Sequence, residues 1–184
     1  MSKTSLSKFN NAWYHPGANA VKRLCWYFIN AIWFNSAFPI NGIKVFLLRL
    51  YGANIGSGVV IKPHVNIKYP WKLTIGNYVW IGEYVWIDNL ADVKIEDNVC
   101  ISQGALLLCG NHNYKKETFD LIVGSITLEQ GVWIGAKATV CPGVTCKSHS
   151  VLAVGSVATS DLEPYFIYQG NPAKKIRERI VENA

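Results

Sequence analysis

Residues 55–106 read IGSGVV IKPHVN IKYPWKLT IGNYVW IGEYVW IDNLADVK IEDNVC ISQGAL, and residues 128–157 read LEQGVW IGAKAT VCPGVT CKSHSV LAVGSV. Ile, Leu, Val or Cys opens each unit, and in the six-residue units Val, Ala or Ser stands at the fifth place. First positions fall at 55, 61, 67, 75, 81, 87, 95, 101 and 107, then at 128, 134, 140, 146, 152 and 158. A period of six suits neither a heptad nor a 3.6-residue helix, whereas alternation inside each unit suits a short strand followed by a turn. One such unit cannot bury its apolar face alone and is stable only when stacked on others. Three strands close one triangular coil, with the first-position residue inside and the fifth near a corner. The expected fold is an all-β solenoid, a parallel β-helix, rather than an ordinary sandwich of alternating strands.

Two-residue insertions around Pro70–Trp71 and Asp92–Val93 sit where a coil can bulge at a corner. The third interruption, Leu108 to Ser125, is longer and polar. A loop that leaves a regular solenoid is a natural place for function. The expected organisation is an N-terminal arm and helical region over 1–50, the solenoid over 51–162 with its extruded loop at 108–125, and a tail over 163–184.

With 184 residues, half of them hydrophobic, the chain holds one sizeable core and not two. Its net charge of +6 and pI of about 9.1 favour anionic ligands or lipid headgroups as partners. Nucleic acid is not indicated: the basic residues are dispersed, and no reading helix, RRM signature or zinc-finger spacing is present. The five cysteines form no metal motif; their odd number and the lack of a signal peptide point to a cytoplasmic protein. GANIGSGVV lacks the Gly-Lys-Ser/Thr ending of a P-loop.

The first twenty residues form a polar arm. VKRLCWYFINAIWFNSAFP follows, too short and too interrupted by Asn30 and Asn35 for the roughly twenty apolar residues of a spanning helix. With the amphipathic NGIKVFLLRLYG, it is expected either to cap the open first coil or to lie on a membrane surface, giving peripheral contact at the inner face. At the other end, NPAKKIRERI reads as a short basic helix, with Pro172 near its start.

These features together carry a resemblance. The repeat, the loop LCGNHNYKKETFDL, the segment ITLEQGVWIGAKATVCPGV and the exit PYFIYQGNPAKKI are similar to the hexapeptide-repeat acyltransferases. The chain most resembles the colanic acid biosynthesis acetyltransferases, and more distantly the maltose and galactoside O-acetyltransferases. The resemblance is strong over about 50–184 and implies a left-handed helix, a homotrimer, and acetyl-CoA lying between neighbouring subunits. It implies transfer to a sugar hydroxyl, the acceptor being free, nucleotide-linked or lipid-linked, with no metal required.

The family's catalytic histidine falls on His112. That residue has a chemical case of its own, since acetyl transfer to an alcohol needs a base of near-neutral pKa beside the hydroxyl. His64 and His149 occupy the fourth place of their hexads, at solvent-facing corners, and His15 lies in the arm. The family's coenzyme contacts fall on Trp133 along the groove, on the amides of Gly135 and Ala136, on Thr159, and on Lys174 and Arg177 for the phosphates. Gly104 stands where the maltose and galactoside enzymes have an asparagine, so Gln103, Glu117 and Asp120 are the candidates to orient His112.

Three alternatives compete with this reading. Cys109, three residues before His112, could form an acyl-thiol intermediate if exposed and acidic. A γ-type carbonic anhydrase shares the solenoid and needs three converging histidines around zinc. A non-catalytic trimeric scaffold for polysaccharide synthesis would need no base at all.

Overall fold

The computed structural model describes residues 3–182. Its body is a left-handed parallel β-helix of triangular section, and every first-position residue from Ile55 to Ala158 is buried inside it. The first face stacks five two- or three-residue strands from Asn54–Ile55 to Thr145–Cys146. The third face stacks five, from Asn66–Ile67 to Val157–Ala158. The second begins at Val60–Ile61 and continues two strands further, through Phe166–Gly170 and Ala173–Glu178. Successive coils pair in parallel and in register, so Ile61 lies on Ile81 and Ile81 on Ile101. The fifth-position residues are interior too, Val65, Val85 and Ala105 among them, which doubles the apolar column expected from first positions alone.

The fourth place of each hexad makes the turn. Gly58, Gly104, Gly131, Gly143 and Gly155 have positive φ there, and so do His64, Tyr78, Tyr84, Asn98, Lys137 and His149. Left-handed backbone is costly for a side-chain-bearing residue, and stacking on the neighbouring coil compensates. The rings of His64 and Tyr84 lie 4.6 Å apart at 2°, and those of His149 and Tyr165 lie 4.7 Å apart at 3°. Both histidines are therefore half-buried pillars of their corners rather than simply solvent-facing side chains.

The N-terminal helices close the first coil. Helix α1 (Ala20–Ile29) is capped by Asn19, whose side chain accepts from the Lys22 amide, and runs into a π-helical turn at Asn30–Phe34. Helix α2 (Asn41–Leu50) follows. Together they satisfy the open edge by side chains. Trp26 Nε1 donates to the Ile67 carbonyl at 2.8 Å, and Asn41 accepts from the Ile61 amide and donates to the Val59 carbonyl, both at 2.8 Å. The buried Lys44 donates to the Lys62 carbonyl at 2.9 Å, and Arg49 to the Ile55 carbonyl at 2.8 Å. Each of these would otherwise be an unpaired peptide group at a covered strand edge.

The C-terminal helix expected for NPAKKIRERI does not form. Phe166–Gly170 pairs in parallel with Val151–Leu152, and Ala173–Glu178 folds back antiparallel on it. The reason is an edge: the added strand presents free N–H and C=O groups, and pairing them outweighs the modest helix propensity of Lys, Arg and Glu. Lys174 and Arg177 thus stand on a strand, opposite Gln169 and Ile167.

Candidate active site

The chain leaves the third face after Leu106–Leu108 and rejoins the first at Ile126–Leu128. The excursion is a hairpin, Gly110–His112 against Leu121–Val123, projecting from the corner between those two faces. His112 ends its first strand. Its ring stacks on Phe119 at 4.4 Å and 8°, with Phe9 of the N-terminal arm 5.8 Å away. The arm is tied to the loop by the Ser5 amide on the Glu117 carbonyl at 2.9 Å and by a 2.7 Å ion pair between Lys8 and Glu117.

His112 Nδ1 lies 3.0 Å from the Phe119 carbonyl oxygen. A carbonyl only accepts, so Nδ1 carries the proton and Nε2 is the basic nitrogen of the neutral ring. The orienting group is a main-chain oxygen and none of the three side chains expected. Glu117 pairs with Lys8, Asp120 pairs with Lys116 at 2.9 Å, and Gln103 lies on the opposite side of the same coil, at the corner between the second and third faces. Gly104 lies at that far corner as well, where the Glu83 carbonyl accepts from its amide at 2.7 Å.

A cavity of about 580 Å³ opens at His112, walled by Leu121 and Leu90, by Phe9, Tyr14 and Pro16 of the arm, and by Arg23, Lys68 and Tyr69. Two of these walls are cationic. Lys68 is held by the buried Asp88 at 2.8 Å, while Arg23 has no ion-pair partner among the described residues. Tyr14 donates to the Leu90 carbonyl at 2.7 Å, and burial raises its pKa far above the usual phenol value, so it serves as a fixed neutral wall.

The residues expected to hold the coenzyme divide into two groups. Trp133 is 47 % exposed on the second face, its Nε1 donating to Ser102 Oγ at 2.9 Å. It pairs with Val151, Val151 with Ile167, and Ile167 with Arg177. Trp133 and Arg177 therefore share one row, three strand spacings or about 14 Å apart. Ala136, at the adjoining corner, has an amide with no partner among the described residues, whereas the Gly135 amide donates to the Leu152 carbonyl at 2.8 Å and is not free. Gly135 has a packing role instead: a Cβ there would lie 2.6 Å from the Val154 nitrogen of the next coil. Lys174 and Arg177 are exposed, without ion-pair partners among the described residues. Thr159 belongs elsewhere, following Val157–Ala158 at the corner between the third and first faces, the same corner that extrudes His112. In a triangular prism that corner is opposite the second face, so the body of the solenoid separates His112 from Trp133 and Arg177 within one chain.

No family model matches the chain. It is 37% identical over 165 residues to a protein named "Putative colanic acid biosynthesis acetyltransferase WcaF" from Escherichia coli (strain K12), covering 89% of this chain and 91% of that one. The chain belongs to the hexapeptide-repeat acetyltransferases. A second relative, the galactoside O-acetyltransferase of E. coli (strain K12), is 30% identical over 135 residues, covering 72% of this chain and 66% of that one. Among solved structures, galactoside acetyltransferase in complex with coenzyme A aligns with a TM-score of 0.76 at 28% identity, over 86% of this chain and 80% of that one. The hexapeptide-repeat acetyltransferase VCA0836 of Vibrio cholerae O1 biovar eltor, complexed with acetyl coenzyme A, shares the fold with a TM-score of 0.79 at 23% identity, over 90% and 92% of the two chains.

Within this hexapeptide-repeat acetyltransferase, Cys109 points into the core with no exposed surface, and burial pushes its thiol up to about 11. A thiol so placed supplies almost no thiolate near neutrality. His64, His149 and His112 stand at three different corners, and no group of three His, Cys, Asp or Glu side chains among the described residues is placed to hold a metal. The acetyltransferase sequence hides other parts of the site in plain composition: Phe9 and Tyr14 lie in an arm without periodicity, and Arg23 in a helix with apolar neighbours. Only the stretch of basic and aromatic residues ahead of the repeat hinted at them.

Proposed function

We propose that the protein transfers the acetyl group of acetyl-CoA to a hydroxyl of a sugar or polysaccharide precursor, by direct transfer, with His112 as general base. The observation that carries this is the Nδ1 bond to the Phe119 carbonyl, which leaves Nε2 basic at the edge of a cavity large enough for a sugar ring. Nε2 takes the proton of the acceptor hydroxyl while its oxygen attacks the thioester carbonyl. The carbon–sulfur bond then breaks, and the imidazolium returns the proton to the departing thiolate. The stack on Phe119 holds the ring through both transfers. The sugar class follows the named activities of the two relatives.

The site is completed by a second copy. Trp133, the free Ala136 amide, Lys174 and Arg177 of one subunit are proposed to hold the coenzyme, facing His112 and Thr159 of the neighbour across a threefold assembly. Cyclic closure would bury each such face once and leave none over. The exposed cations suit phosphate, and the half-exposed indole suits an apolar pantetheine arm.

The test is acetyl-CoA consumption by wild type and His112→Ala against free, nucleotide-linked and lipid-linked sugars, with oligomer mass checked in both. His112→Ala should lower kcat by roughly 10²–10⁴-fold and change coenzyme affinity little. A kcat near that of wild type would overturn the role of His112. Activity with none of the sugars would overturn the acceptor class.

A further inference from the structure

The N-terminal cap has two sides, and the fold uses one. Trp26 and Phe34 are buried against the first coil. On the other side of α1 and its π-helical turn, Val21, Leu24, Phe28 and Ile32 recur every three to four residues and are 70, 59, 54 and 60% exposed. Phe46 and Leu50 extend the stripe along α2, at 61 and 64%. Six large apolar side chains in one exposed band are more than a soluble surface ordinarily leaves open. No helix among the described residues is long and apolar enough to cross a membrane, so the band has the character of an in-plane contact.

Charge identifies what it contacts. Residues 1–82 hold nine of the 18 lysines and arginines and none of the 12 aspartates and glutamates; the first acidic residue is Glu83. The arm, both helices and the first coil thus carry a formal +9, and the remaining residues carry −3. The rest of the chain answers two of these cations, Glu117 pairing with Lys8 and Asp88 with Lys68, and leaves Lys22 and Arg23 of α1 without an ion-pair partner among the described residues. An apolar stripe beside such cations matches an anionic bilayer, where side chains enter the acyl boundary and cations meet phosphates. The same charge opposes apposition of two copies through this end.

We propose that this end docks on an anionic lipid surface, with the outer stripe of α1 and α2 as the embedded element. The placement has a consequence for access. The cavity at His112 shares Arg23, Lys68 and Tyr69 with a second cavity of about 420 Å³ that runs beside Tyr27 of α1 and Ala31 of the π-helical turn. The resulting groove leads from His112 to the flank of the lipid-facing helix, within reach of an acceptor anchored in the same membrane.

The experiment is flotation of the full-length protein with phosphatidylcholine vesicles and with vesicles containing phosphatidylglycerol. The protein should float with the second and not the first, and binding should fall as salt rises. Leu24→Asp combined with Phe28→Asp should weaken binding by at least about tenfold. Oligomer mass and transfer to a soluble acceptor should stay unchanged, since neither side chain contacts the active-site cavity. Equal flotation with both vesicle types, flotation with neither, or a double variant that floats like wild type would each overturn the proposal. So would loss of oligomer mass in the double variant, which would assign the stripe to a second copy. If the double variant fails to fold, the lipid and salt dependence of the wild type decides. None of these readings requires His112 to act as a base.

Discussion

A site split between subunits can be tested by mixing two defective proteins. His112→Ala removes the proposed base at the corner between the third and first faces. Trp133→Ala with Lys174→Glu and Arg177→Glu removes the proposed coenzyme wall on the second face, the glutamates repelling phosphate. Each variant by itself should be nearly inactive at sub-saturating acetyl-CoA. When the two are unfolded, mixed in equal amounts and refolded together, an intact site needs its corner from a wall-defective chain and its wall from a His112→Ala chain. Each condition holds with probability one half, so about one quarter of sites are restored, and the mixture should recover about one quarter of the wild-type rate. The rate is read as coenzyme A released, after light scattering has confirmed that mixed and parent assemblies have the same mass. A mixture no more active than its parents would refute the argument from opposite sides of the prism, and a monomer in solution would refute it sooner.

Other expectations follow from the cap and the loop. Trp26→Ala removes a fully packed indole and its bond to Ile67, and should cost about 3–5 kcal/mol in urea unfolding; a loss under 1 kcal/mol would mean that the helix does not hold the first coil. Burial lowers the pKa of Lys44 below its unfolded value of 10.5. Between those two values the unfolded chain binds more protons, so wild-type stability should rise with pH across that window relative to Lys44→Met, and parallel pH profiles would contradict the assignment. Cys109→Ala should retain kcat within about threefold, and mass spectrometry of the enzyme with acetyl-CoA should find no acetylated Cys109. An acetyl adduct on that residue would replace direct transfer by a covalent route.

The sequence by itself determined the solenoid and the place of the histidine proposed as its base. Hexad spacing depends only on neighbours along the chain and on the identical coil above, so every first position from Ile55 to Ala158 could be assigned to the interior, and the one long polar break pointed to His112. What orients His112 was hidden because the Phe119 carbonyl is a group every residue has, and only the hairpin register brings it to Nδ1. The C-terminal segment went to a strand because an unpaired edge of the second face lay beside it, a partner that local propensity does not record. Residues alike in their expected role, Thr159 and Trp133, proved to stand on opposite sides of the prism, since a six-residue step turns the chain by a third of a circle. The apolar helices were divided in the same way: Trp26 faces the coil and Phe28 faces outward, a distinction that exists only once the helix has something to pack against.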